Sequence, residues 1–145
     1  MISQAEILVV DDDPDLQETI RVVLEANGYG VRTAGNGREA RKALAERLPD
    51  LMILDIMMET LTEGFTLAHE LREQSRYQDL PIILLTCFLD KVRADGPEAW
   101  QHIMGEPWPA QWLFEKPVDT KRLLAKVEAV LREADEKRTG EGSPR

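Results

Sequence analysis

The residues best suited to chemistry in this chain are a run of acids, Asp11-Asp12-Asp13, an isolated Asp55 and, farther on, Thr86 and Lys116. Carboxylates drawn together repel one another unless something positive sits among them. A lysine ammonium is one such group. A hard divalent cation is another, and Mg²⁺ favours one or two carboxylates with waters and a phosphate oxygen over a closed protein cage. A carboxylate such as Asp55 can attack phosphorus and form an aspartyl-phosphate. Metal and ammonium then offset the charge spread over the phosphoryl oxygens, and the Thr86 hydroxyl can donate a hydrogen bond to one of them. The chemistry this set suits is phosphoryl transfer.

For these residues to meet, each must stand at the same edge of the fold, and the hydrophobic pattern supplies that edge. Ile7-Leu8-Val9-Val10 is a continuous, β-branched run that reads as a buried strand ending at the aspartates. Leu51-Met52-Ile53-Leu54 ends at Asp55, Pro81-Ile82-Ile83-Leu84-Leu85 at Thr86, and Trp112-Leu113-Phe114 just before Lys116-Pro117. A weaker strand is expected over Tyr29 to Ala34. Between them lie helical patterns. Asp13-Pro14 is an N-cap followed by proline at the first helical position, and Leu16, Ile20, Val23 and Leu24 recur at helical spacing until Asn27-Gly28. Further helices are expected over Arg38 to Leu48, over Glu63 to Ser75, and after Asp119, where Leu123, Leu124, Val127, Val130 and Leu131 form one stripe. Strands alternating with helices imply parallel strands joined by right-handed crossovers. Ligands then bind beyond the carboxyl ends of the strands, where strand order reverses.

The 145 residues fit one compact domain, expected over residues 1–137, with a polar tail over 138–145. Hydrophobic residues make up 43%, enough for a core, and the formal net charge of -9 argues against nucleic-acid binding, which needs a basic face. The single cysteine, Cys87, excludes an internal disulfide and a multi-cysteine zinc site, which fits a cytoplasmic setting. Neither a signal peptide nor the roughly 20 apolar residues of a membrane span is expected. His69 and His102 lack ligand spacing and read as structural or solvent-facing.

Val9-Val10-Asp11-Asp12, Leu54-Asp55-Ile56-Met57-Met58, Leu85-Thr86 and Lys116-Pro117, in that order at strand ends, resemble the receiver domain of bacterial two-component response regulators. The resemblance covers the chain up to the tail. It implies an α/β, flavodoxin-like, doubly wound five-stranded parallel sheet of order 2-1-3-4-5 with helices on both faces. It implies Asp55 as phosphoacceptor, Thr86 as switch hydroxyl and Lys116 as bridge between acceptor and phosphoryl group. It implies Mg²⁺, with Mn²⁺ as substitute, held by Asp12 directly, by Asp11 largely through water, by Asp55 and by the backbone carbonyl of Met57. A histidine kinase or phosphotransfer protein is the implied donor.

Several features depart from that pattern. Glu59 stands where the family has proline four residues beyond the acceptor, and the turn through Gly64 is one residue longer. Cys87 replaces a smaller residue after Thr86, and Met57 and Phe88 flank the phosphoryl pocket, where they would shield it from water. Lys116 follows Thr86 by 30 residues, a longer interval than the family's, holding Trp100, Trp108 and Trp112 with Pro97, Pro107 and Pro109. Leu113 occupies the position of the family's switch aromatic.

Two other readings compete. Asp11-Asp12-Asp13 contains the Asp-x-Asp of a haloacid-dehalogenase-like phosphohydrolase, with Asp11 as nucleophile, although Asp15 stands where threonine or valine is expected. A receiver-fold binding module with lost or altered phosphorylation is the other. The chain is expected to be a stand-alone regulator without turnover activity. Its output would pass through an unknown protein target by way of residues 88–114, through onward phosphotransfer or through a homodimer, with no nucleic acid and no membrane as partner.

Overall fold

The computed structural model describes residues 5–55, 63–86 and 112–141. In chain order the elements are β1 (Glu6–Val10), α1 (Pro14–Ala26), β2 (Gly30–Ala34), α2 (Gly37–Glu46), β3 (Leu51–Asp55), α3 (Glu63–Arg72), a 3-10 turn (Ser75–Tyr77), β4 (Ile82–Thr86), β5 (Trp112–Glu115) and α4 (Thr120–Glu141). All strand pairs are parallel, in the order β2-β1-β3-β4-β5. This is the doubly wound sheet that the sequence implies.

The unbroken apolar strands are explained by a core on each face. Successive strand residues point to opposite sides. Leu8, Val10, Met52, Leu54, Ile82 and Leu84 pack on one side against Ala40 and Leu44 of α2 and Leu67, Ala68 and Leu71 of α3. Ile7, Val9, Leu51, Ile53, Ile83 and Leu85 pack on the other against Ile20 and Leu24 of α1 and Leu123, Val127 and Val130 of α4. Each buried Val, Leu, Ile or Met among them contributes about 1.5–3 kcal/mol by leaving water, so the strands' carboxyl ends sit on a stiff platform.

Helix ends follow local chemistry. The Asp13 side chain accepts from the backbone N–H of Asp15 and Pro14 opens α1, as the sequence predicts. Gly28 takes the positive φ of 93° that reverses the chain after α1, a conformation costly for any residue with a Cβ. Asn36 caps α2 through the N–H of Glu39, and Glu39 reaches back to the N–H of Gly35 at 2.7 Å, a variant of the capping box. Asp119 accepts from the N–H groups of Lys121 and Arg122 at the start of α4.

Three helix C-termini differ from expectation. Helix α2 stops at Glu46, not Leu48, because Arg47 is extended (φ -163°, ψ 132°) and Pro49 disfavours helical backbone at Leu48. The ending is secured by Arg32 on β2, which donates to the carbonyls of Ala43 at 2.9 Å and Arg47 at 2.6 Å. Helix α3 ends at Arg72, and Ser75 belongs to the 3-10 turn. Helix α4 continues to Glu141, past the expected start of the tail, since Glu136, Lys137 and Arg138 are good helix formers. Among the described residues, no helix is long and apolar enough to cross a membrane.

Glu6 links three elements. Its carboxylate pairs with Arg47 beyond α2 and with Arg32 Nε on β2 at 3.1 Å, and its N–H donates to Asp50 at 2.7 Å. The hydrogen bond from Arg47, aided by the charges of both arginines against some desolvation, holds its pKa below the ordinary 4.5. Its contribution is therefore complete above the unfolded value and is lost as pH falls through the lowered folded value. Urea unfolding of Glu6→Gln should show a loss of about 1 kcal/mol at neutral pH. That difference should close in acid, once Glu6 of the parent is protonated.

Candidate functional site

Register brings the acids together. Val10 pairs with Leu54, so Asp11 just beyond β1 lies beside Asp55 at the end of β3. Strands β1 and β3 flank the point where the sheet order reverses. On the other side of β4, Thr86 pairs with Glu115, and Lys116 follows immediately. Its four-carbon stem spans the width of β4 and delivers the ammonium to the acids.

Asp11 is fully buried and Asp55 is 1% exposed, whereas Asp12 is exposed. One carboxylate oxygen from each of Asp11, Asp12 and Asp55 falls within 4.8 Å of the others. Lys116 Nζ donates to Asp55 Oδ2 at 3.1 Å and lies 2.8 Å from Asp11 Oδ2. The second contact is an ion pair without hydrogen-bond alignment, so Asp11 Oδ2 accepts no hydrogen bond among the described residues. Asp11 Oδ1 accepts from the N–H of Asp13 at 2.9 Å, which fixes the carboxylate plane and turns Oδ2 toward the site. Burial alone would lower the Lys116 pKa. The close negative charges of Asp11 and Asp55 outweigh it, so the group stands above its ordinary 10.5 and stays charged at neutral pH.

Among the described residues, three carboxylates face one ammonium, and their charges leave the cluster short of positive charge. A buried carboxylate oxygen lacking an aligned donor, in a set of oxygen ligands only, is what a hard divalent cation requires. The residues fit such an ion.

Asp11, Asp12, Asp55 and Lys116 are thus brought to one rim from three separate strand ends, those of β1, β3 and β5. Asp13 is the helix cap that the sequence predicts. Thr86 ends β4 as expected, though its hydroxyl lies outside what is described. Met57, Glu59, Cys87, Phe88 and the Trp/Pro-rich stretch up to residue 111 lie outside the described residues. The sequence reading missed the direct ion pair between Lys116 and Asp11. It also missed Gln17, whose side-chain amide donates to the backbone carbonyls of Asp11 and Ala34. A glutamine on an amphipathic helix carries no signal that separates it from ordinary solvent-facing residues.

Residues 7–128 match the family described as the response regulator receiver domain. The chain belongs to that family. This receiver is 40% identical over 129 residues to the phosphate regulon transcriptional regulatory protein PhoB of Rhizobium meliloti, covering 89% of this chain and 53% of that protein. It spans about half the length of the curated relatives it matches. Among solved structures, it is similar to the signal receiver domain of a signal transduction histidine kinase from Syntrophus aciditrophicus (TM-score 0.74, 30% identity, 89% of this chain and 91% of that one). It is also similar to the chemotaxis response regulator CheY4 of Vibrio cholerae (TM-score 0.72, 30% identity, 88% and 99%). The Asp11, Asp12 and Asp55 cluster with its lysine has the architecture of a phospho-accepting receiver.

Removing the ammonium leaves two buried carboxylates facing each other. Lys116→Met should therefore lose about 3 kcal/mol of stability in divalent-free buffer. Millimolar Mg²⁺ should restore part of that loss, because a cation can occupy the same negative potential. Equal unfolding midpoints for parent and variant without Mg²⁺ would contradict this account of the site.

Proposed function

We propose that this receiver accepts a phosphoryl group on Asp55 in a Mg²⁺-dependent reaction and signals through protein contacts. The observation that carries the reading is Lys116 Nζ placed 3.1 Å from a nearly fully buried Asp55 that lies within an acidic, cation-fitting cluster.

In the reaction, a carboxylate oxygen of Asp55 attacks the phosphorus of a phosphohistidine on a histidine kinase or phosphotransfer protein. The P–N bond breaks as the P–O bond forms, and the imidazole nitrogen leaves with the electron pair and is protonated. Lys116, already hydrogen-bonded to Asp55, stays beside the new acyl phosphate and offsets negative charge on its oxygens. Mg²⁺, or Mn²⁺ in its place, would be held by Asp11, Asp12, Asp55 and the carbonyl of Met57, and would supply charge neutralisation at the phosphoryl oxygens. Thr86, at the end of β4, would donate its hydroxyl to one of those oxygens. By P–N chemistry a small phosphoramidate can stand in for the kinase.

Family membership and the burial of Asp11 against Lys116 favour this reading over hydrolysis on Asp11. The receiver domain is assigned to residues 1–137, with α4 running on to Glu141, and the setting is read as cytoplasmic. Phosphorylation would shift an existing equilibrium between two conformations, which requires tighter phosphoryl contacts in the favoured one.

Incubation with phosphoramidate and Mg²⁺ should add one phosphoryl group per chain, read by intact mass. Chelation of divalent ions, or Asp55→Asn, should abolish it. Label persisting in the Asn variant would remove Asp55 from its role, and continuing release of phosphate from a generic ester would point to a hydrolase instead.

A further inference from the structure

The exposed ligand Asp12 sits in a short link between β1 and α1, beyond the last ladder pairs of β1 with Ala34 and Leu54. That link is fixed at both ends. The Asp11 N–H donates to the Ala34 carbonyl at 3.0 Å, and the Gln17 N–H donates to the Asp13 carbonyl at 3.0 Å. Between them, the peptide joining Asp11 to Asp12 carries the carbonyl of Asp11. Among the described residues, the donor to that carbonyl is the Gln17 side chain, whose amide nitrogen also donates to Ala34 O at 3.0 Å. Both partners are carbonyl oxygens, so the amide must present its nitrogen; the flipped orientation would set oxygen against oxygen. Both amide hydrogens are thereby used.

We infer that Gln17 is a positioning residue for the metal-binding acids. By holding the Asp11–Asp12 peptide plane against the end of β2, it aims the Asp12 carboxylate at the cluster formed with Asp11 and Asp55. Asp11 has its own orienting bond from the Asp13 N–H. Asp12 is exposed and depends on the backbone that precedes it. Groups that orient ligands without touching the ion typically change affinity by about 10- to 100-fold when removed. The inference rests on the divalent-cation reading of the site given above.

The test is calorimetric titration of MgCl₂ into the parent, Gln17→Met and Gln17→Arg, with thermal unfolding of each in metal-free buffer. Methionine keeps the length and loses both donors. Arginine keeps donors that reach both carbonyls but adds a positive charge, which by itself would weaken cation binding. The expected result is a Mg²⁺ affinity about tenfold lower for Gln17→Met, with Gln17→Arg binding more tightly than Gln17→Met despite its charge. Phosphorylation of the Met variant should recover toward the parent as Mg²⁺ is raised. A Met variant that loses stability but binds Mg²⁺ like the parent, or an Arg variant that binds more weakly than Met, would overturn the assignment. If Gln17→Met does not fold, Gln17→Ser, too short to reach either carbonyl, takes its place, and a Ser variant that binds Mg²⁺ like the parent overturns the assignment. A parent that binds no Mg²⁺ removes the cation site itself, and this inference with it.

Discussion

An ammonium wedged between two buried carboxylates sets the terms for this molecule. Taking Asp11 and Asp55 out of water is expensive, and their mutual repulsion grows as the surroundings dry. Lys116 offsets part of that cost, being 2.8 Å from one and 3.1 Å from the other. It does not offset all of it, since Asp12 adds a third negative group at the open side. The site is held together and left unsatisfied at once. That residual negative potential leaves the cluster able to coordinate a metal ion.

Such an arrangement needs a frame that does not relax. If the strand ends could spread, the carboxylates would separate and hydrate. The parallel sheet prevents this because each strand is anchored on two sides. Ile53 packs toward α1 and α4, Leu54 packs toward α2 and α3, and Asp55 follows them with little freedom left. The same double anchoring of Val9 and Val10 fixes Asp11. Destabilising charge at the rim is tolerated because the stabilising burial lies one residue behind it.

Much of this was legible in the chain, for a definite reason. Strands covered on both faces read as unbroken apolar runs, so their carboxyl ends could be located to the residue at Asp11, Asp55 and Thr86. Once those ends were known, parallel topology required them to share an edge. Lys116 was legible through Pro117 and the strand before it. What stayed hidden depends on three-dimensional detail with no period in sequence. The Lys116–Asp11 pair depends on a side chain crossing β4, and the Gln17 contacts depend on the pitch at which α1 leaves β1. The early end of α2 depends on Arg32, which belongs to a different element and meets the helix only after folding.

That arginine has a consequence for how the molecule meets copies of itself. Strand β2 forms one border of the sheet and pairs along one side with β1. Its other side is a row of backbone groups of the kind that recruits foreign strands. The row is only five residues long. In its middle stands a guanidinium already committed to the carbonyls of α2 and to Glu6. An incoming strand would gain few ladder bonds while crowding that charge and its carboxylate partner. Sheet extension through this border is therefore unfavourable.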